Sequence, residues 1–116
     1  MELKECDAVI ADSEGALAMA GIKGGKKAEV TPETKNIFLE SANFVPVNIR
    51  KTSRRTAVIT DSSKRFENEI NPELAMKAMN RAIQLIMQYA STDKTQFSNK
   101  VDYYPLRWRN WRTGVS

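Results

Sequence analysis

The stretch NIFLESANFVPVNIRKTSRRTAVITDSSKRFE, residues 36–67, contains the patterns that decide the fold. Its first segment, Ile37–Phe44, is predicted to be a central β-strand, because alternation places Glu40 on one side together with Phe38, Ala42 and Phe44. A carboxylate on such an apolar side is costly unless a partner satisfies it. Two interpretations stay open: Glu40 is an edge charge that reaches water or an arginine, or it is a functional group in an apolar pocket.

The rest of this stretch and its flanks predict an α+β fold, a mixed β-sheet with packed helices. Pro46 suits the first turn of a helix, Ala57–Thr60 predicts a short strand, and Asp61 suits the N-cap of a second helix. The two apolar runs within Asp7–Ala20 predict a β-hairpin, although the alanines of the second run are also compatible with a helix. Downstream, Asn71 as cap and an apolar stripe at helical spacing predict the main helix over Pro72–Tyr89.

Composition restricts the possible chemistry. The chain has 116 residues, a net charge of +4, one cysteine and no histidine. A mechanism that needs an imidazole base would have to take it from outside this sequence. A single cysteine excludes an internal disulfide and a cysteine zinc cluster, so no metal site is expected. No apolar run reaches the ~20 residues that cross a bilayer, and no signal peptide pattern begins the chain, so we expect a cytoplasmic protein without membrane contact.

Three glycines fall within Gly21–Gly25, the sequence GIKGG. Such a segment turns sharply and lets a ligand approach the backbone closely, although a flexible turn after a strand has the same composition. It is not a nucleotide-binding phosphate loop, because no Gly-Lys-Ser/Thr follows.

Two basic segments carry open alternatives. Arg50–Arg55, the sequence RKTSRR, forms either an ordinary solvated helix face or a surface beside RNA. Arg107–Arg112, the sequence RWRNWR, either stacks on nucleic-acid bases or packs against a neighbouring domain.

The sequence resembles the editing domain (B3/B4) in the beta subunit of bacterial phenylalanyl-tRNA synthetases. The resemblance rests on the pattern TKNIFLESA.F.P..IRKTSRR......TDSS.RFE, with GIKGG before it and INPELAMKAMNRAIQLI after it. The likeness extends from about Asp7 to about Ala90. The resemblance implies a fragment of that subunit: residues 1–90 are the C-terminal part of the editing domain, and residues 91–116 are a linker and the start of the following domain.

What the resemblance implies is hydrolysis of tyrosine that has been attached in error to tRNA(Phe). The implied editing pocket consists of Glu40, Gly24, Gly25, Thr60 and Ser62. Glu40 would accept a hydrogen bond from the tyrosine phenol and would set specificity rather than act as a base. The family's histidine and Thr-Asn pair would lie before this chain begins, so the catalytic group stays unassigned.

This sequence departs from the family pattern at two positions. Ser62 stands where many relatives have alanine, and Glu69 stands where relatives usually have glycine. Serine is only slightly larger than alanine, so the pocket is expected to accommodate it, and Glu69 lies beyond the pocket residues.

The resemblance also implies the setting of the complete enzyme, a phenylalanine-tRNA ligase. It would use ATP and Mg²⁺, with no cofactor in this segment, and its partners would be tRNA(Phe) and an alpha subunit in an α2β2 heterotetramer. The isolated chain is expected to be inactive as a deacylase. Two other hypotheses are a stand-alone deacylase that acts in trans and a non-catalytic RNA-binding module.

Overall fold

A computed structural model describes residues 2–103 of the chain. Three strands form one antiparallel sheet in the order β1-β2-β3: β1 Val9–Asp12, β2 Gly15–Met19 and β3 Lys23–Gly24. A 3₁₀ turn at Lys26–Ala28 follows, and then come the helices α1 Pro46–Thr56, α2 Asp61–Phe66 and α3 Leu74–Tyr89. The α+β class is confirmed. The sheet is antiparallel rather than mixed, because short turns join its successive strands.

The predicted N-terminal hairpin is confirmed, and Asp12 closes its turn. The Asp12 carboxylate accepts hydrogen bonds from the backbone N–H groups of Glu14 and Gly15, at 2.9 and 3.0 Å. Gly15 has a φ of 143°, which a residue with a side chain rarely adopts. On the outside, the Lys27 ammonium pairs with Asp12 at 3.0 Å and with Glu14 at 2.7 Å. These contacts hold the segment after β3 against the hairpin turn.

The core lies where the end of the hairpin meets α1. Its buried apolar side chains are Met19, Ala20, Ile22 and Ile49, with Phe44, Val58 and Phe66 packed around them. The rings of Phe44 and Phe66 meet edge to face, with centroids 5.1 Å apart. Gly21 has a φ of 68°, and a Cβ at this position would stand 2.8 Å from the Phe44 ring. Close packing at this corner therefore requires glycine.

Helix α1 begins at Pro46, as predicted, whereas the prediction that Asp61 caps the second helix is wrong. Thr60 is the N-cap of α2: its hydroxyl accepts from the Ser63 N–H at 3.0 Å, and the Ser63 hydroxyl accepts from the Thr60 N–H at 2.9 Å. This reciprocal pair satisfies two backbone donors, which an Asp61 cap one residue later would leave open. Asp61 instead becomes the first helical residue, where its charge complements the helix dipole.

The main helix is confirmed, with a later start than predicted. It begins at Leu74 rather than Pro72 and ends at Tyr89 as expected. Asn71 does not cap it directly. The Asn71 side chain accepts from the Glu73 N–H at 3.1 Å, which closes a local turn before the helix.

The predicted central strand is wrong. Residues 36–44 have no regular secondary structure, and within residues 2–103 no strand pairs with them. Their polar side chains bind the approach to α3 and its first turn instead: the Ser41 hydroxyl donates to the Ala75 carbonyl at 2.7 Å, and the Asn43 amide donates to the Ile70 carbonyl at 2.9 Å. Alternation indicates an extended chain, but only a hydrogen-bonded neighbour makes a strand.

The predicted strand at Ala57–Thr60 is also wrong. Ala57 adopts the left-handed conformation, with a φ of 55°, and terminates α1. Its N–H group and that of Val58 bond back to carbonyls in the last turn of α1. The apolar residues after it therefore form a helix C-terminal turn, in which Val58 packs against the core.

A buried charged cluster attaches the N-terminal segment to α1. The Asp7 carboxylate is fully enclosed and ion-pairs with Arg55. It also accepts from the Lys4 N–H at 2.8 Å and from the Thr52 hydroxyl at 2.7 Å. These hydrogen bonds, together with the Arg55 charge, lower the pKa of Asp7 to about 2.

Asp7→Asn is expected to destabilise the chain at neutral pH by roughly 2 kcal/mol, because the Arg55 guanidinium loses its charged partner. The folded-state pKa lies below the usual 3.8, so this stabilisation is complete above about pH 4 and is lost as the pH falls towards about 2. The measurement is urea unfolding at pH 7, 4, 3 and 2, with Asp93→Asn at an exposed site as control. A difference between wild type and Asp7→Asn that persists at pH 2 would contradict the assignment.

None of the helices between residues 2 and 103 is both long enough and apolar enough to cross a membrane.

Candidate functional site

An open cleft of about 830 Å³ lies beside the hairpin, where the chain after β3 folds back along it. Strands β1 and β2 contribute one wall through Ile10, Leu17 and Ala18, and the segment from Lys23 to Val30 contributes another. The third wall comes from the irregular segment that includes Ile37, Phe38 and Glu40. We call this the hairpin cleft. It brings together three residues that the sequence singled out, namely Gly24, Gly25 and Glu40.

The two glycines of the cleft differ in what surrounds them. A Cβ added at Gly24 would meet no atom within 4 Å, so open space lies beside this residue. A Cβ at Gly25 would stand 2.4 Å from the Leu17 carbonyl oxygen, to which the Gly25 N–H donates at 2.8 Å. Gly24 therefore offers bare backbone to an occupant, whereas Gly25 permits close packing of the cleft wall against β2.

Gly24→Ala and Gly25→Ala are therefore expected to differ in their effect on stability. Gly25→Ala should lower the free energy of unfolding by roughly 2 kcal/mol, because the methyl group collides with rigid backbone. Gly24→Ala should change it by less than about 0.5 kcal/mol, because no neighbour is displaced. Urea unfolding of both variants measures this. Equal destabilisation by the two substitutions would contradict the distinction.

Glu40 is partly desolvated in the cleft. Burial disfavours its charged form and raises the pKa of the Glu40 carboxyl above its usual value. Neither a cation nor a hydrogen-bond donor in the described chain offsets this shift. Glu40 pairs with no arginine within residues 2–103, but it is exposed to solvent, so the interpretation as an edge charge that reaches water stays open beside the functional one. An acceptor held near apolar groups in this way retains unused hydrogen-bonding capacity.

The predicted apolar face around Glu40 is divided in the structure. Phe38 lines the cleft beside Glu40 and is 97% exposed, whereas Phe44 packs into the core against Phe66. Ile37, expected on the opposite face, also lines the cleft. Strict alternation fails because the segment is not a regular strand, so neighbouring side chains are free to turn to the same side.

Thr60 and Ser62 contact the glycine segment but are not among the residues that line the hairpin cleft. The Thr60 hydroxyl donates to the Ile22 carbonyl at 2.7 Å, and the Ser62 hydroxyl donates to the Gly21 carbonyl at 2.9 Å. Both hydroxyls thus tether α2 to the turn that leads into Gly24. A direct role of Thr60 and Ser62 in an amino-acid pocket stays a prediction.

The sequence analysis missed three charged residues of the cleft, Lys23, Lys26 and Glu29. The two lysines flank the glycine pair directly, and this position in the sequence could have indicated that they line the cleft. No sequence pattern indicated that Glu29 lines the cleft, because its position there depends on the 3₁₀ turn that precedes it. Within residues 2–103, no group of three or more His, Cys, Asp or Glu side chains could hold a metal ion. The Arg107–Arg112 segment lies outside the described residues.

The antiparallel hairpin, the helices and the glycine-walled cleft define a small α+β domain with a candidate ligand site. Residues 1–91 match the B3/4 domain family, and the chain belongs to this family. This match agrees with the resemblance in the sequence, which is thereby confirmed.

Two of the most similar relatives share one protein name. The chain is 52% identical over 90 residues to the "Phenylalanine--tRNA ligase beta subunit" of Acinetobacter baylyi, 78% of this chain and 11% of that protein. It is 48% identical over 88 residues to the protein of the same name from Protochlamydia amoebophila, 76% of this chain and 11% of that protein. The chain thus spans about a tenth of the length of these relatives. No solved structure matches the chain.

Proposed function

We propose that this chain is part of the beta subunit of a phenylalanine-tRNA ligase, and that the hairpin cleft receives the tyrosine side chain of mischarged tRNA(Phe) for hydrolysis. The names of the relatives support the first statement. The observation that carries the second is the position of Glu40, an acceptor without a partner in the described chain, in the same cleft as Gly24 and Gly25.

The chemistry of the cleft suits a phenol better than a bare phenyl ring. Ile37, Phe38 and Leu17 supply apolar surface for an aromatic ring, and Glu40 supplies the acceptor for a hydroxyl. A hydrogen bond to a charged group contributes roughly 1.5–3 kcal/mol. Phenylalanine would leave the Glu40 carboxylate unsatisfied in the same place, and this difference is the one an editing site needs.

Discrimination against phenylalanine could not come from an apolar pocket alone. A purely apolar site rejects an added hydroxyl by only about a hundredfold. It would also favour phenylalanine, whereas an editing site must favour tyrosine. A site built to bond the hydroxyl reverses the preference and rejects the analogue that lacks it by about 10⁴ to 10⁵. The Glu40 carboxylate is therefore proposed as the specificity group rather than the base.

The complete enzyme would supply the rest of the reaction. Water would attack the ester carbonyl, and no residue of this chain is assigned as its base, since the sequence has no histidine. Lys23 and Lys26 lie along the cleft, where their charge would favour the anionic end of an RNA substrate. In the cytoplasm, tRNA(Phe) and an alpha subunit would be the partners, with ATP and Mg²⁺ used for the ligase reaction outside this segment.

The test is binding of two stable analogues to the chain, the 3′-amides of tyrosyl- and phenylalanyl-adenosine. Heteronuclear NMR titration should show tighter binding of the tyrosine compound, with shifts centred on Gly24, Gly25 and Glu40. Equal affinity for both compounds, or shifts confined to residues away from the cleft, would overturn the proposal.

A further inference from the structure

The positive charge of the chain is concentrated on two neighbouring helices. Residues 46–66, which contain α1 and α2, hold six basic side chains and one acidic side chain, Asp61. Their excess of five positive charges is larger than the net charge of +4 on the whole chain. Helix α1 contributes four basic residues and no acidic one. Elsewhere within residues 2–103, acidic side chains outnumber basic ones, so in this part of the chain a polyanion would meet its strongest attraction at these helices.

The basic residues of α1 lie on one side of the helix. Arg50 and Arg54 are one turn apart, as are Lys51 and Arg55, and together they cover less than half of the helix circumference. The buried residues of α1 lie on the opposite side: Ile49, Thr52 and Ser53. Packing of α1 onto the core therefore leaves Arg50, Lys51 and Arg54 exposed to solvent and fixes the relative positions of their backbone atoms.

Helix α2 extends the same basic surface. The Arg50 guanidinium donates to the Glu67 carbonyl at the C-terminus of α2, at 2.9 Å, and so bridges the two helices. Lys64 and Arg65 in the last turn of α2 are exposed. We call the exposed set the basic helix face: Arg50, Lys51, Arg54, Lys64 and Arg65.

The cations of the basic helix face are not neutralised by acidic side chains. Among residues 2–103, the ion pairs are those of Lys27 with Asp12 and Glu14 and that of Arg55 with Asp7. Arg55 thus stabilises the fold, while the five other cations around it have no carboxylate partner in this part of the chain. Unpaired cations on a rigid surface gain most from an anionic partner, because they lose no internal pair on binding.

We propose that the basic helix face binds the sugar–phosphate backbone of an RNA. The choice of RNA among polyanions rests on the function proposed above, whereas the surface itself rests only on its charges and positions. Phe66 is the sole aromatic residue of α1 and α2, and it packs against Phe44. The face therefore has no ring on which a base could stack, and it reads phosphates rather than sequence.

The experiment measures binding of a fluorescently labelled, unacylated tRNA(Phe) transcript by anisotropy, between about 50 and 200 mM salt. The test variant is Lys51→Ala/Arg54→Ala/Lys64→Ala/Arg65→Ala. Its affinity should fall by at least about tenfold at the lower salt concentration. The slope of log affinity against log salt should become shallower by up to about 0.9 for each phosphate that the protein no longer neutralises. Circular dichroism checks that the helices persist.

The matched control removes the same charge elsewhere, as Lys77→Ala/Arg81→Ala/Lys94→Ala/Lys100→Ala, and should retain most of the affinity. Equal losses in both variants would overturn the proposal in favour of diffuse attraction. So would absence of RNA binding by the wild type, or binding only to vesicles containing phosphatidylserine. Because the transcript carries no amino-acid ester, failure here and failure of the tyrosine pocket are separately detectable.

Discussion

Glu40→Ala is expected to lower the ratio of Tyr-tRNA to Phe-tRNA hydrolysis by one to two decades, in a complete beta subunit in which this chain replaces the matching segment of the Acinetobacter baylyi relative. The substitution removes the acceptor proposed for the phenol, which contributes roughly 1.5–3 kcal/mol to tyrosine binding. Phe-tRNA should be hydrolysed somewhat more readily, because alanine leaves no unsatisfied carboxylate beside the bare ring.

Three carboxylates provide the controls for Glu40. Glu33 and Glu73 are exposed and lie outside the lining of the hairpin cleft, so their alanine variants should keep the wild-type ratio. Glu29 is the informative rival, because it lines the same cleft as Glu40. If Glu29→Ala changes the ratio and Glu40→Ala leaves it intact, the acceptor has been assigned to the wrong carboxylate.

The effect of Glu40→Ala should be on selectivity and not on folding. Burial raises the pKa of Glu40, which means that its ionised form is less stable in the folded chain than in water. At neutral pH the charge therefore opposes folding, and its removal should not lower the unfolding temperature. A marked fall in unfolding temperature would identify Glu40 as a structural residue.

Ile49→Ala is expected to destabilise the chain by about 3 kcal/mol or more, the largest effect on stability among the substitutions proposed. Ile49 is 1% exposed and forms the buried core with Met19 and Ile22, so the truncation leaves a cavity that few neighbours can fill. In a domain with a net stability of roughly 5–15 kcal/mol, this loss is a large fraction of the total.

Val47→Ala on the same helix is the control for Ile49→Ala. Val47 is 49% exposed, so its truncation removes little buried surface and should change the free energy of unfolding by less than about 1 kcal/mol. Urea unfolding measures the free energy of unfolding of both variants. If Ile49→Ala does not fold, Ile49→Val is measured instead, with an expected destabilisation of about 1 kcal/mol. Similar effects of Val47→Ala and Ile49→Ala would contradict the proposed location of the core.

Local patterns in the sequence determined the elements whose causes are local. The hairpin within Asp7–Ala20, the start of α1 at Pro46 and the end of α3 at Tyr89 are all present as predicted. In each case neighbouring residues contain the cause: a turn between apolar runs, a proline with preset φ, or an apolar stripe at helical spacing. The resemblance in the sequence likewise singled out Gly24, Gly25 and Glu40, which line one cleft.

Tertiary structure alone decided the features that depend on distant partners. Residues 36–44 alternate like a strand, yet Ser41 and Asn43 bond to the chain around the start of α3, and no strand within residues 2–103 pairs with the segment. The pKa of Asp7 is lowered first by the nearby Lys4 N–H, but its fall to about 2 also needs Thr52 and Arg55, which folding brings from more than forty positions away. Hydrogen-bond partners this distant in sequence leave no periodic trace, so only the folded chain reveals which polar groups meet.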